Sequence, residues 1–170
     1  MNRINKLTQH LEEAMEVATQ KWLSQVQQIN TTHIKKVLQD VGTRSPPDSH
    51  MVITYLRSSA LTESHRFKLA VYKEEPFVDA PIYETRLEMK SLYTEVPNDV
   101  QALIKKLSPT YIQILSYEKE EIKRRFTARL YQQSYHFFAG VLEEMETQQQ
   151  LPVYFGEEVS ELITIGAMTS

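Results

Sequence analysis

Five basic side chains, Lys119, Lys123, Arg124, Arg125 and Arg129, crowd into the stretch YEKEEIKRRFTARLY at residues 117–131. Guanidinium forks match carboxylate and phosphate oxygens, so a helix carrying them is a candidate site for an anion or an acidic partner. On such a helix Arg125 and Arg129 share a face, with Ile122 and Phe126 close enough for the arginine stems to cover apolar surface. Acids are interleaved, however. Glu120 and Glu121 each precede an arginine, Arg124 or Arg125, by four residues, and Glu118 precedes Lys123 by five. This pattern makes a solvated helix face the more economical expectation. It also disfavours nucleic acid, because neutralised arginines release few counterions.

Three further sets could carry chemistry. Ser58-Ser59-Ala60-Leu61-Thr62-Glu63-Ser64-His65 gathers hydroxyls, an acid and an imidazole, with Arg57 and Arg66 at its flanks. Polar ligand recognition suits it better than nucleophilic catalysis, which needs a base held against the nucleophile and a third group orienting that base. His10, Glu12, Glu13 and Glu16 would meet Glu143, Glu144 and Glu146 if the first and last helices ran antiparallel, giving divalent-metal ligand types. The paired Glu-x-x-His pattern of bundle metal enzymes is missing, so these acids read as solubilising and no metal or other cofactor is expected. Tyr131, Tyr135, His136, Phe137 and Phe138 make the late helix apolar over a wide arc, which implies a central helix or one covered by a partner. His33 and Trp22 fall on the first helix's stripe, His33 as a partly buried histidine and Trp22 as its anchor.

Composition narrows the classes. The 170 residues suit one domain with a core large enough to fold unaided. A net charge of −3 gives no basic field to attract nucleic acid or an anionic membrane. Without cysteine there is no disulfide, thiolate nucleophile or cysteine-held metal, which fits a reducing cytoplasm. No run approaches 18 apolar residues, so no membrane span is expected. Gly42, Gly140, Gly156 and Gly166 are too scattered for a glycine-rich phosphate loop.

The elements that must position these side chains follow from periodicity. Residues 1–42 read as a helix or helix pair, with Ile4, Leu7, Leu11, Met15, Ala18, Trp22, Val26 and Ile29 at helical spacing and a weak point at Asn30-Thr31-Thr32. Residues 50–90 read as a three-stranded meander around Met51–Leu56, Phe67–Tyr72 and Tyr83–Met89. Residues 97–148 return to helix, with a short element ending near Leu107 and a long one starting at Pro109, turning polar at Gln133 and stopped by the glutamines 148–150 and Pro152. The tail, 151–170, reads equally as helix or strand over 157–165. The expected fold is α+β: two long antiparallel helices and a shorter one against a small antiparallel sheet of three or four strands. Helices of that length would break or overhang the domain, and an overhanging apolar stripe would be buried against a second copy.

The functional expectation is a protein-interaction module of adaptor, chaperone or immunity type, self-associating as a homodimer, with no catalytic site. The alternative is a small-ligand binder or enzyme using a pocket between sheet and helices with Arg57, Arg66 and the 58–65 loop. A third is a regulator touching nucleic acid through the 123–129 face. The binding candidates are Arg57, Arg66, Arg124, Arg125, Arg129, Tyr131 and Tyr135.

Overall fold

In the computed structural model, which describes residues 2–145 and 151–168, the chain is α+β. Helix α1 (Arg3–Val26) follows its apolar stripe, with Asn2 capping the Ile4 N–H at 3.1 Å. The first long run breaks where hydrogen-bonding side chains compete with the helix: Asn30 Oδ1 accepts from the Thr32 N–H at 2.9 Å, and α2 (Thr32–Arg44) starts anew. The restart shifts the phase of the stripe. Ile34, Leu38 and Val41 turn inward, and His33 is exposed rather than partly buried. The 24 residues of α1 span ~36 Å at 1.5 Å each. That fits within the roughly 40 Å of a domain this size, so no overhang arises.

The meander forms as expected. Strands β1 (His50–Tyr55), β2 (Arg66–Tyr72) and β3 (Tyr83–Glu88) pair antiparallel in sequence order. The link from β1 to β2 contains a short helix, α3 (Arg57–Leu61). The sheet is larger and differently connected than the sequence suggests. It has five strands in the order β3-β2-β1-β4-β5, with β4 (Leu151–Glu157) parallel to β1 and β5 (Leu162–Met168) antiparallel to β4. The 157–165 ambiguity therefore resolves as a hairpin, and the expectation of a three- or four-stranded antiparallel sheet is corrected to a mixed one. Parallel pairing of Met51 with Val153 joins residues a hundred positions apart, and nothing local announces it.

A 3₁₀ turn (Lys90–Tyr93) leads into α4 (Val96–Leu107). Pro109 does not open the next helix. Thr110 and Tyr111 donate back to the Leu107 carbonyl at 3.0 and 2.9 Å, closing α4. Helix α5 (Ser116–Gln133) begins only where the Glu118 carboxylate accepts the Leu115 N–H at 2.8 Å. It ends at Ser134, whose hydroxyl donates to the Leu130 carbonyl at 2.9 Å, and α6 (Tyr135–Glu143) continues from there. The expected glutamine-rich end of the run lies outside the described residues.

The long helices are not antiparallel. Arg3 meets Glu118, Thr8 meets Arg125 and Glu12 meets Arg129, so α1 and α5 run in the same direction. The antiparallel neighbour of α1 is α4, with Lys21 on Asp99 at 3.0 Å and Trp22 donating to the Leu92 carbonyl at 2.7 Å. Met51, Ile53 and Tyr55 of β1, Phe67 and Leu69 of β2, and Val153 and Phe155 of β4 form one core with the helices. The opposite sheet face carries a small cluster of Val52, Ala70 and Tyr72, against which Phe77 packs. Among the described residues no helix is long and apolar enough to cross a membrane.

Candidate functional site

On α5 the positions Glu121, Arg124, Arg125, Ala128 and Gln132 recur at three or four residues, which puts them on one face. The opposite face, Ile122, Phe126 and Leu130, is fully buried and fixes the helix's rotation. On α1 the same logic buries Leu7, Leu11 and Met15 and turns Asn5, Gln9 and Glu12 toward α5's polar face. Between the two helices, above the carboxyl ends of the parallel strands β1 and β4, lies a cleft of about 560 Å³. Its lining includes Arg57, Arg124, Arg125 and Arg129, with Tyr55, Tyr131, Gln132, Glu12 and Glu157. From these ends β1 departs toward its antiparallel neighbour β2 and β4 toward β5.

Each arginine holds a carboxylate of its own chain. Arg57 Nε lies 2.6 Å from Glu157, and Arg124 and Arg125 share Glu121 at 2.5 and 2.7 Å. Arg129 reaches across to Glu12. Arg125 also donates to Thr8 Oγ1 and Asn5 Oδ1, both at 3.0 Å. Hydrogen bonds from Arg124, then Arg125, hold the Glu121 carboxyl down at about 2. Among the described residues Glu120 makes no such pair. Glu118 does not face Lys123: it is buried against Arg3, while Lys123 pairs with Glu63.

Two donors in this cleft lack acceptors. Arg129 Nη1 is buried with no hydrogen-bond partner among the described residues. Tyr55 is only 4% exposed, and none of the hydrogen bonds among the described residues uses its hydroxyl. Burial, reinforced by the Glu157 carboxylate and partly offset by Arg57, pushes that phenol up to about 12, so it remains a proton donor at neutral pH. A buried unpaired donor such as Arg129 Nη1 costs free energy, and a native fold keeps few of them. Four arginines against Glu12, Glu157 and Glu121, which holds two of them, leave the site formally at +1. The arrangement suits holding an anion. Among the described residues no histidine lines it.

Beneath the cleft is a buried polar cluster. The Tyr131 hydroxyl lies 2.7 Å from His65 Nδ1 and 3.3 Å from Ser59 Oγ, and Ser59 itself donates to the Leu56 carbonyl at 2.8 Å. The His65 ring stacks on Tyr93 at 4.7 Å, and Tyr93 contacts Ser134 through hydroxyls 2.6 Å apart. Burial pushes the Tyr131 phenol up to about 12 and His65 below its ordinary value. This cluster ties α3, the residue before β2, the 3₁₀ turn and α5 together as a structural hub.

The structure unites five of the seven predicted binding residues, Arg57, Arg124, Arg125, Arg129 and Tyr131, in this one cleft. Tyr135 lines an adjoining recess of about 330 Å³ that shares Tyr55, Gln132 and Glu157 with it. Arg66 lies elsewhere, in a second cleft of about 510 Å³ formed with Ser58, Thr62, Ser64 and Arg86. The expected single pocket using Arg57, Arg66 and the 58–65 loop is therefore split, because Arg57 lies at the start of α3 and Arg66 opens β2. Sequence reasoning missed Tyr55 and Glu157, the last residues of the two parallel strands. It placed Glu12 in a metal set that the structure scatters: Glu12 meets Arg129, Glu144 meets Lys35, and His10 packs edge-on to Tyr111. Glu146 lies outside the described residues. No protein-family model matches the chain, and no curated protein or solved structure matches it.

Proposed function

We propose that this chain binds a small anionic molecule in the cleft between α1, α5 and the carboxyl ends of β1 and β4. The carrying observation is that a buried donor without an acceptor, Arg129 Nη1, and the unengaged hydroxyl of Tyr55 belong to the same arginine-lined concavity. An anion satisfies both, and it meets a surplus of positive charge on entering. The interaction-module reading drew on wide apolar helical arcs, an overhanging stripe, free sheet edges and the lack of a catalytic constellation. Phe126, Tyr131, Phe137, Phe138 and Trp22 all close into this chain's own core, so those arcs ask for no partner. The nucleic-acid reading drew on the 123–129 face, whose three arginines already hold glutamates.

Isothermal titration with inorganic phosphate and with simple carboxylates tests the reading. Arg129→Gln should weaken phosphate by about 10- to 100-fold, the worth of a charge-assisted hydrogen bond. Tyr55→Phe should weaken it by roughly 5-fold, as one neutral donor is lost. Equal affinity in both variants and the parent, or no heat with any anion, would refute it.

A further inference from the structure

We infer that the ligand is a phosphoryl dianion rather than a carboxylate, and that Glu12 is the internal competitor it displaces. The inference rests on the anion-cleft reading and specifies it. Every arginine of the cleft is already matched to a carboxylate, so a ligand enters by exchange. The three carboxylates differ in how firmly they are held. Glu121 is bound by two arginines of its own helix, each about one turn away, and its side chain is 24% exposed. Glu157 ends a strand in the middle of the sheet and its side chain is 22% exposed. Glu12 bridges from α1 to α5 with a side chain 61% exposed, so rotation into solvent frees Arg129 without moving the backbone.

A monocarboxylate that replaces Glu12 returns one carboxylate–guanidinium contact for another. It gains little against the entropy of association. A phosphoryl group carries close to two negative charges at neutral pH and three terminal oxygens. One oxygen takes Glu12's place on Arg129, leaving others for the unpartnered Nη1 of Arg129 and the Tyr55 hydroxyl. With Glu12 turned away, four arginines against Glu121 and Glu157 give the site a formal +2, which a dianion suits better than a monoanion. The rest of an ester has room in the adjoining recess beside Tyr135, Phe155 and Gln133.

The test titrates inorganic phosphate, phenyl phosphate and acetate into the full chain and into Glu12→Gln, Glu13→Gln and Arg129→Gln at fixed ionic strength. Glu13 is exposed on the same helix and outside the cleft lining, so its variant removes equal charge without touching Arg129. Phosphate should bind at least about 10-fold tighter than acetate, since charge-assisted contacts multiply. Glu12→Gln should tighten phosphate by about 2- to 5-fold, the range of an exposed ion pair. Glu13→Gln should leave it unchanged. Phenyl phosphate should match or exceed inorganic phosphate. Acetate binding as tightly as phosphate would overturn the dianion assignment, and Glu12→Gln behaving like Glu13→Gln would overturn the competitor. In both cases a weakened Arg129→Gln keeps the anion cleft standing. An Arg129→Gln indistinguishable from the parent would remove the cleft reading itself. Co-sedimentation with phosphatidylcholine vesicles containing phosphatidic acid, undiminished by free phenyl phosphate, would overturn a small-molecule ligand in favour of a lipid head group.

Discussion

Replacing Tyr131 by phenylalanine removes one oxygen and leaves the ring, which packs edge-on against Tyr55, Phe67 and Tyr93 at 5.0–5.5 Å. What changes is the hydrogen-bond account beneath the cleft. Ser59 keeps its bond to the Leu56 carbonyl, so it loses little. His65, 7% exposed, loses the 2.7 Å contact to Nδ1. A buried polar atom deprived of its partner costs about 1–3 kcal/mol. In a domain of this size each kcal/mol moves the melting temperature by about 2–4 °C, so a fall of roughly 4–8 °C is expected near the middle of that range. Urea unfolding followed by the fluorescence of the single Trp22 measures it directly, and the denaturant slope should not change. Anion affinity should also stay the same, because this hydroxyl is engaged by His65 and Ser59 and contributes nothing to the cleft. A stability loss below about 0.5 kcal/mol would show that the hub is not the fastening described here, since conservative surface changes cost that little. A lost anion site with unchanged stability would place the hydroxyl in the wrong role altogether.

Acid should weaken the fold in two separate windows. Burial lowers the His65 pKa, so the unfolded chain binds the extra proton. Stability is then complete above the unfolded value near 6.5 and declines as pH falls below it, by at most about 1.4 kcal/mol per pH unit for one proton. His50, also lowered by burial, has the same sign. Glu121, held at about 2, contributes stability above its unfolded value near 4.5 that is lost as pH falls through about 2. His65→Gln should reduce the first window to the His50 share and leave the second, and identical pH profiles of unfolding free energy would contradict the assignment. Trp22→Ala should cost about 3–5 kcal/mol by urea midpoint, since a side chain 1% exposed is removed and the Leu92 carbonyl loses its donor. A cost under about 1.5 kcal/mol would mean the neighbouring core collapses into the space.

Local patterns carried much of this architecture. The α1 stripe, the break at Asn30-Thr31-Thr32 and the β1–β3 meander all depend on neighbours within a few residues, where side-chain spacing and hydrogen-bond competition act. The parallel β1–β4 pair depends on none, and with it went Tyr55 and Glu157. A weak signal was nevertheless present. Leu151, Val153 and Phe155 are buried while Pro152, Tyr154 and Gly156 are not, a period-two pattern hidden behind a proline taken as a helix stop. The arginine cluster was visible as a cluster. Its convergence with Arg57 required knowing that β1 ends beside α5.

The direction of α5 relative to α1 was also written in the charges. Helix α1 starts basic, with Arg3 and Lys6, and turns acidic at Glu12, Glu13 and Glu16. Helix α5 has the opposite gradient, with Glu118, Glu120 and Glu121 first and Lys123, Arg124, Arg125 and Arg129 after them. Side by side and parallel, Arg3 meets Glu118 and Glu12 meets Arg129. Reversing one helix would set Glu12 near Glu118 and Glu121, and Arg3 near Arg129. Arg3–Glu118 is the pair where this matters most, because Glu118 is fully buried and a buried carboxylate facing another carboxylate costs several kcal/mol. The same gradient that fixes the helices' direction delivers Arg125 and Arg129 to the mouth of the strands. The charge pattern that looked like mere solvation thus acts first as an orientation code, and the anion cleft is its consequence.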